Sequence, residues 1–148
     1  MFQTLASQIV LGLVILSVAF AWWKGGRPER VGSLFNGVIC IGVPLVQAVI
    51  HESLHTLPIL IADGVLAMGF LILAIRYASL WLGAAMILQA MGFMMHSALL
   101  LELIRNPEYF YYAAMNVMSL GVLLSIILGT AYAWAVRRRY ERMAQEAV

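Results

Sequence analysis

The sequence predicts an all-α fold, a single bundle of five membrane-spanning helices with the N-terminus outside and the C-terminus in the cytoplasm. The composition leads to this prediction first: 64% of the 148 residues are apolar and only 11% are charged, with a mean hydropathy of +0.93. A soluble domain usually carries about 25% charged residues. The apolar residues also form five runs, each near the roughly 20 residues that a helix needs to cross a bilayer. The length allows one domain, residues 1–148.

Short connectors separate the five predicted spans. The spans cover residues 5–23, 31–50, 57–75, 80–101 and 111–136, and residues 137–148 form a basic tail that is expected to be a short helical extension. Gly25 and Gly26 follow the first span, and Pro58 and Pro107 stand where helices start or stop. Pro44 lies inside the second span and is expected to kink it. An alternative stays open for the second and third spans, which could form a broken hairpin that does not fully cross.

The basic residues predict the orientation. Five spans place eight of them on one side: Lys24, Arg27, Arg30, Arg76, Arg137, Arg138, Arg139 and Arg142. Arg105 alone falls on the other side. Because basic loop residues stay cytoplasmic, the chain is expected to be N-out and C-in. The aromatic residues agree, with Trp22, Trp23, Trp81 and Trp134 at the cytoplasmic interface and Tyr109, Tyr111 and Tyr112 at the opposite one.

Five polar residues within the predicted spans share one depth near the outer surface: Gln8, Gln47, Asp63, His96 and Asn116. At 1.5 Å per residue, Asp63 lies roughly 9 Å deep and His96 about 7 Å deep. An ionisable side chain at this depth costs a few kcal/mol unless it is paired, so we expect Asp63 and His96 to bond each other. Gln47 and Asn116 are expected to take the remaining donors and acceptors. The layer either fixes helix packing or forms a pocket for a metal, a proton or a small ligand.

Residues 51–55 read HESLH, the spacing that zinc peptidases use to place two imidazoles one helical turn apart. A metal site would use His51, His55, Asp63 and His96, and Glu52 would act as the base if the site hydrolysed a substrate. The connectors are too short to form a substrate cleft, however, and polar residues are ordinary where a helix leaves the membrane. We therefore favour a solvated turn and a chain that is not an enzyme.

No cofactor is expected from the remaining motifs. Zinc is the metal that HESLH would suit. Copper(I) is suggested only by the methionines of MGFMMH at 91–96, which more often fill gaps in packing. A haem between His96 and His51 or His55 lacks any flanking pattern. The sequence contains no nucleic-acid-binding signature.

Small residues recur every four positions in the fifth span, at Gly121, Ser125, Gly129 and Ala133. This spacing lets two helix backbones approach closely. The face packs either inside the bundle or against another protein, in a homo-oligomer or a larger complex.

Three stretches carry a resemblance to a known group of proteins: WKGGRPERVG, RYASLWLGAAMILQAMGFMMH, and the small-residue fifth span before its basic tail. Together they resemble small multi-span bacterial inner-membrane proteins of unassigned function. The resemblance implies a bacterial inner (cytoplasmic) membrane and carries over no catalytic residue. HESLH is not a feature of that group.

Two functions are therefore expected from the sequence. The first is a small accessory or scaffold subunit that contacts membrane lipids and packs against a larger membrane complex. The alternative is a metal site facing the periplasm, zinc hydrolase-like or serving metal transport, built on HESLH with Asp63 and His96.

Overall fold

Five helices make up the computed structural model, which describes residues 5–49, 56–103 and 109–146, with side chains from residue 8 onwards. They are α1 (Leu5–Lys24), α2 (Arg27–Gln47), α3 (Thr56–Tyr77), α4 (Leu80–Leu100) and α5 (Tyr109–Glu146). The predicted all-α helical bundle is confirmed.

Four of the helices, α2 to α5, are long and apolar enough to cross a membrane. In α1 the described apolar segment, Gln8–Lys24, is shorter. A membrane protein is therefore indicated, because a soluble bundle would not carry several apolar helices of this length. The crossing of α1 as a fifth span stays a prediction.

The start of α2 differs from the sequence prediction. The connector before the second span is largely helical, since α2 already begins at Arg27. Glu29 Oε2 accepts a hydrogen bond from the Gly26 backbone N–H at 2.8 Å, and Pro28 suits a first helical turn. At the C-terminal end of the chain, α5 continues through the basic tail to Glu146, as the expected helical extension. Its 38 residues span about 57 Å, so α5 projects well beyond a hydrocarbon layer of about 30 Å.

The helices pack in a closed ring. α1 contacts α2 and α5, α2 contacts α3, and α4 lies between α3 and α5, with the most extensive packing between α3 and α4. A buried apolar cluster joins α1, α3, α4 and α5, formed by Ala21, Leu66, Phe70, Leu82, Ala85, Val122 and Ile126.

Two left-handed residues set the ends of α4. Ala78, with φ 47°, lies in the two-residue turn that joins α3 to α4. Glu102, with φ 58°, follows the last turn of α4, where the N–H of Leu103 bonds the Ala98 carbonyl and that of Glu102 bonds Leu99. This double bond pattern is a Schellman motif, which satisfies the last carbonyls of the helix.

The indole of Trp81, at the start of α4, packs between α2 and α5. A Cβ added at Gly32 of α2 would lie 3.0 Å from the ring, and one added at Gly129 of α5 would overlap it. The glycines therefore make the space that the ring fills. Among the described residues, none bonds the buried Trp81 Nε1.

The basic end of α5 meets the end of α1. Arg137 donates a hydrogen bond to the Lys24 carbonyl, and the Lys24 ammonium lies 4.1 Å from the centre of the Trp23 ring and 5.2 Å from that of Trp134. Basic and aromatic side chains from both helices thus gather at one end of the bundle, as a shared cytoplasmic side would require.

Candidate functional site

A cavity of about 390 Å³ lies at the centre of the bundle, and all five helices contribute to its wall. Most of the lining is aliphatic. Its polar side chains are Asn36, Cys40, Asp63, Gln89, Asn116 and Ser119. The cavity is therefore an apolar space with a small number of hydrogen-bonding groups, which is typical of a ligand pocket.

Asp63 of α3 holds two hydrogen bonds from α4. His96 Nδ1 lies 2.7 Å from Asp63 Oδ2, and Gln89 Nε2 donates to Asp63 Oδ1 at 2.5 Å. Asp63 is 8% exposed and His96 is 7% exposed. Both carboxylate oxygens are thus occupied, which offsets the cost of burying the acid away from water.

The charge of this pair depends on the imidazole. A neutral His96 that donates its Nδ1 proton leaves the single negative charge of Asp63, whereas a protonated His96 makes the pair neutral overall. In neither state does the pair carry a net positive charge. No lysine or arginine lines the cavity within the described chain.

The spacing in α4 explains how its side chains reach Asp63. Gln89, Gly92 and His96 follow at i, i+3 and i+7, which places them on one face of a helix. Gly92 leaves space between the two donors, because a Cβ there would lie 3.5 Å from Asp63 Oδ2. The most extensive helix packing of the bundle, between α3 and α4, brings this face to Asp63.

Aromatic rings pack beside the pair. Tyr111 of α5 is 6% exposed and meets the His96 ring edge to face, with 6.1 Å between ring centres. Tyr112 packs on Tyr111 at 5.3 Å. Tyr111, one of the tyrosines predicted for the interfacial belt, thus packs its ring against His96.

Pro44 interrupts the hydrogen bonding of α2 beside the cavity. Proline has no N–H, so it cannot donate the usual helical hydrogen bond to the carbonyl of Cys40, four residues earlier. Both residues line the cavity. An acceptor freed within a membrane helix needs another partner, such as a side chain, a water molecule or a ligand.

The structure brings together only part of the predicted polar layer. Asp63 and His96 are in direct contact, and Asn116 lines the same cavity. Gln47 is buried and Gln8 is exposed, but neither lines the cavity. Gln89, which the sequence analysis did not include, holds the second carboxylate oxygen.

The predicted metal site is only partly described. His51, Glu52 and His55 lie outside the described residues. Over residues 5–49, 56–103 and 109–146, no group of three or more His, Cys, Asp and Glu side chains could hold a metal ion. Asp63 and His96 supply two ligands, one fewer than the three that a catalytic zinc site takes from the protein.

The predicted small-residue face of α5 lies partly against α4. A Cβ on Gly121 would lie 2.8 Å from Leu88 Cδ1, and Gly129 adjoins Trp81. The Ser125 hydroxyl bonds the Gly121 carbonyl of its own helix at 2.8 Å. Ala133 is half-buried.

Two residues of the site were missed from the sequence. Gln89 lies two helical turns, about 10 Å, from His96 along α4. Its depth therefore differs from that of the predicted polar layer. Its seven-residue spacing from His96 was the available signal. Asn36 of α2 is 3% exposed, and no comparable spacing from another predicted site residue indicated it.

Comparisons with protein-family models, curated proteins and solved structures give no match. The fold and the site define a class by themselves: an all-α bundle with membrane-length helices, in which a carboxylate–imidazole pair borders a central cavity.

Proposed function

We propose that this chain is a five-span bacterial inner-membrane protein, N-out and C-in, whose central cavity binds a small ligand with a neutral or positively charged polar group. The observation that carries the proposal is the Asp63 carboxylate. His96 and Gln89 hold it at the wall of a 390 Å³ cavity. Ligand pockets typically measure about 300–1,000 Å³ and combine an apolar lining with a few polar groups.

A purely structural role for the polar pair would not need this cavity. Protein interiors are close-packed and contain few voids larger than a water molecule. Asp63, Asn36 and Asn116 border one space from three different helices, which is the arrangement that a bound molecule can bridge.

The charge of the lining selects the ligand. Asp63 is the only ionisable acid or base that lines the described cavity, apart from the thiol of Cys40. The Asp63–His96 pair is negative or neutral and no lysine or arginine lines the described cavity, so an anionic ligand finds no net positive charge to attract it. A neutral hydrogen-bond donor or an amine would complement the site.

Cys40 gives a direct test, because it is the only cysteine of the chain and lines the cavity. The rate at which N-ethylmaleimide alkylates Cys40 in lipid nanodiscs would be measured with benzylamine, benzoate or neither. These probes share a ring and differ in charge. Ligand at twice its Kd protects about threefold, from the factor 1 + [L]/Kd, so benzylamine at millimolar concentration should slow alkylation and benzoate should not.

The matched variant is Asp63→Asn, which keeps the shape of the side chain and removes its charge. It should abolish the difference between the two probes while leaving the helix content unchanged by circular dichroism. Equal alkylation rates with benzylamine, with benzoate and without a probe in the wild type would contradict the binding function.

The accessory-subunit function is kept as a second proposal because one surface favours it. α5 projects past the proposed membrane surface, and its Tyr140 and Met143, three residues apart, are 66% and 55% exposed. Such a pair suits contact with a partner protein. Co-isolation with a larger complex in mild detergent would support this function, and loss of the complex in Tyr140→Ser with Met143→Ser would locate the contact.

The zinc alternative needs ligands from residues 51–55 in addition to Asp63 and His96. Elemental analysis of the purified protein tests it. One zinc per chain, lost in His96→Ala, would support the metal site, and a chain without stoichiometric metal would remove it.

A further inference from the structure

A second depression lies on the outer face of the bundle between α2 and α3. This groove has a volume of about 530 Å³, and its lining extends from Val38 to Val46 on α2 and from Leu57 to Val65 on α3. Every lining residue is aliphatic, proline or glycine. In the proposed membrane it faces lipid, where hydrocarbon is the available occupant.

The groove and the central cavity adjoin each other. Ile39, Val43 and Ala62 line both of them. Ala62 immediately precedes Asp63, so the lipid-facing groove meets the space beside the carboxylate at these shared residues. The groove side is apolar, and the cavity side offers hydrogen-bonding groups.

The dimensions match one leaflet of a bilayer. The lining of the groove extends over a rise of eight residues along each helix, which corresponds to about 12 Å. This length is close to half of a hydrocarbon thickness of about 30 Å. With the proposed orientation the groove lies in the outer half of the membrane, because Leu57 is near the outer end of α3.

We propose that the ligand is amphipathic, with a non-anionic hydrogen-bonding head beside Asp63 and a single hydrocarbon tail in the α2–α3 groove, and that it passes between these helices from the lipid. This inference rests on the proposed binding function and specifies its ligand class. Charge selects the head, since the cavity lining offers a carboxylate and no described cation. Continuity of groove and cavity places the tail.

The local structure of α2 suits a lateral passage. Pro44 removes one hydrogen bond of the helix at this level, which lets the flanking turns bend. Gly42 contributes only backbone to the groove, and a Cβ added there would meet nothing within 4 Å. A Cβ at position 42 therefore fits without displacing its neighbours, and a larger side chain there would occupy space in the groove that Gly42 lines.

The test compares Gly42→Phe with Gly12→Phe. Gly12 of α1 is also helical, also has open space around a new Cβ, and lines neither the groove nor the cavity. Alkylation of Cys40 by N-ethylmaleimide would be measured in nanodiscs with dodecylamine, dodecanol, dodecanoate or benzylamine. Each rate is divided by the rate of the same variant without a probe, which cancels any change in access of the reagent.

We expect dodecylamine and dodecanol to slow alkylation at least about threefold in the wild type and in Gly12→Phe, as occupancy at twice Kd requires. Gly42→Phe should lose this protection and keep that of benzylamine, which has no tail. Dodecanoate should protect none of the three proteins. Size-exclusion profiles and helix content confirm that the variants are folded.

Three results would overturn the inference. Equal protection by dodecylamine in Gly42→Phe and Gly12→Phe would show that the tail does not lie in the groove. Equal protection of the wild type by dodecanoate and dodecylamine would show that the site does not discriminate against an anionic head. Protection of the wild type by benzylamine without protection by either tailed probe would reject the amphipathic ligand while retaining the cavity. Failure of benzylamine and of both tailed probes would reject the binding function itself.

Discussion

Removing the partners of Asp63 one at a time tests whether the buried pair contributes as a unit to stability. The variants are Asp63→Ala, His96→Ala and Gln89→Ala, with the two double variants that include Asp63. The structure places His96 Nδ1 2.7 Å and Gln89 Nε2 2.5 Å from separate oxygens of the carboxylate. Each double-mutant cycle therefore isolates one hydrogen bond.

The expected coupling energies follow from burial and charge. Hydrogen bonds that involve a charged group contribute about 1.5–3 kcal/mol in soluble proteins. Interhelical side-chain bonds in a membrane average about 0.6 kcal/mol, with a maximum near 1.7 kcal/mol. Because the Asp63–His96 bond is buried and joins two ionisable groups, whereas Gln89 is neutral and its bond is part-buried, we expect about 1.5 kcal/mol for Asp63 with His96 and about 1 kcal/mol for Asp63 with Gln89.

The assay is reversible unfolding in mixed micelles with increasing dodecyl sulfate, followed by circular dichroism. Asp63→Ala combined with Thr130→Ala is the control, because the Thr130 hydroxyl bonds the Ile126 carbonyl of its own helix and should not couple to Asp63. Couplings of Asp63 with both His96 and Gln89 no larger than the control would refute the paired arrangement.

Three further predictions concern packing, a helix turn and orientation. Gly129→Ala should lower the free energy of unfolding by about 1–3 kcal/mol, since the new methyl overlaps the Trp81 ring, whereas Gly83→Ala, which has open space, should not lower it. Ala78→Gly should raise stability by about 0.5 kcal/mol or leave it unchanged, because the relief of a left-handed alanine exceeds the added freedom of the unfolded chain; a loss of 1 kcal/mol would contradict this turn geometry. Gln145→Cys in a Cys40→Ser background should react with a membrane-impermeant maleimide in inside-out vesicles and not in intact spheroplasts, and the reverse pattern would refute a cytoplasmic C-terminus.

The general fold could be predicted because the lipid environment imposes simple rules on the sequence. Apolar runs of membrane length must form helices, so the sequence predicts all five helices. The ends of the predicted spans differ from the helix ends mainly where a helix continues past its apolar run. α2 starts at Arg27 because Glu29 bonds the Gly26 N–H, and such a local bond is invisible to hydropathy. α5 continues to Glu146 because nothing in its basic segment breaks a helix.

The site was only half predictable. The meeting of Asp63 and His96 follows from two ionisable groups at one depth that must pair. Gln89 was missed because depth alone ignores side-chain reach along a helix face, and the cavity was missed because its volume depends on how five helices pack. The interior position of Trp81 depends likewise on two glycines in other helices.

Native mass spectrometry of the gently extracted protein measures ligand binding most directly. We predict the 16.4 kDa chain carrying a small organic molecule, released on activation, that is absent from Asp63→Asn and retained by Gly12→Phe. Detection of the wild-type chain without any bound molecule would contradict a ligand site at the Asp63–His96 pair. Detection of the same adduct on Asp63→Asn would contradict it equally.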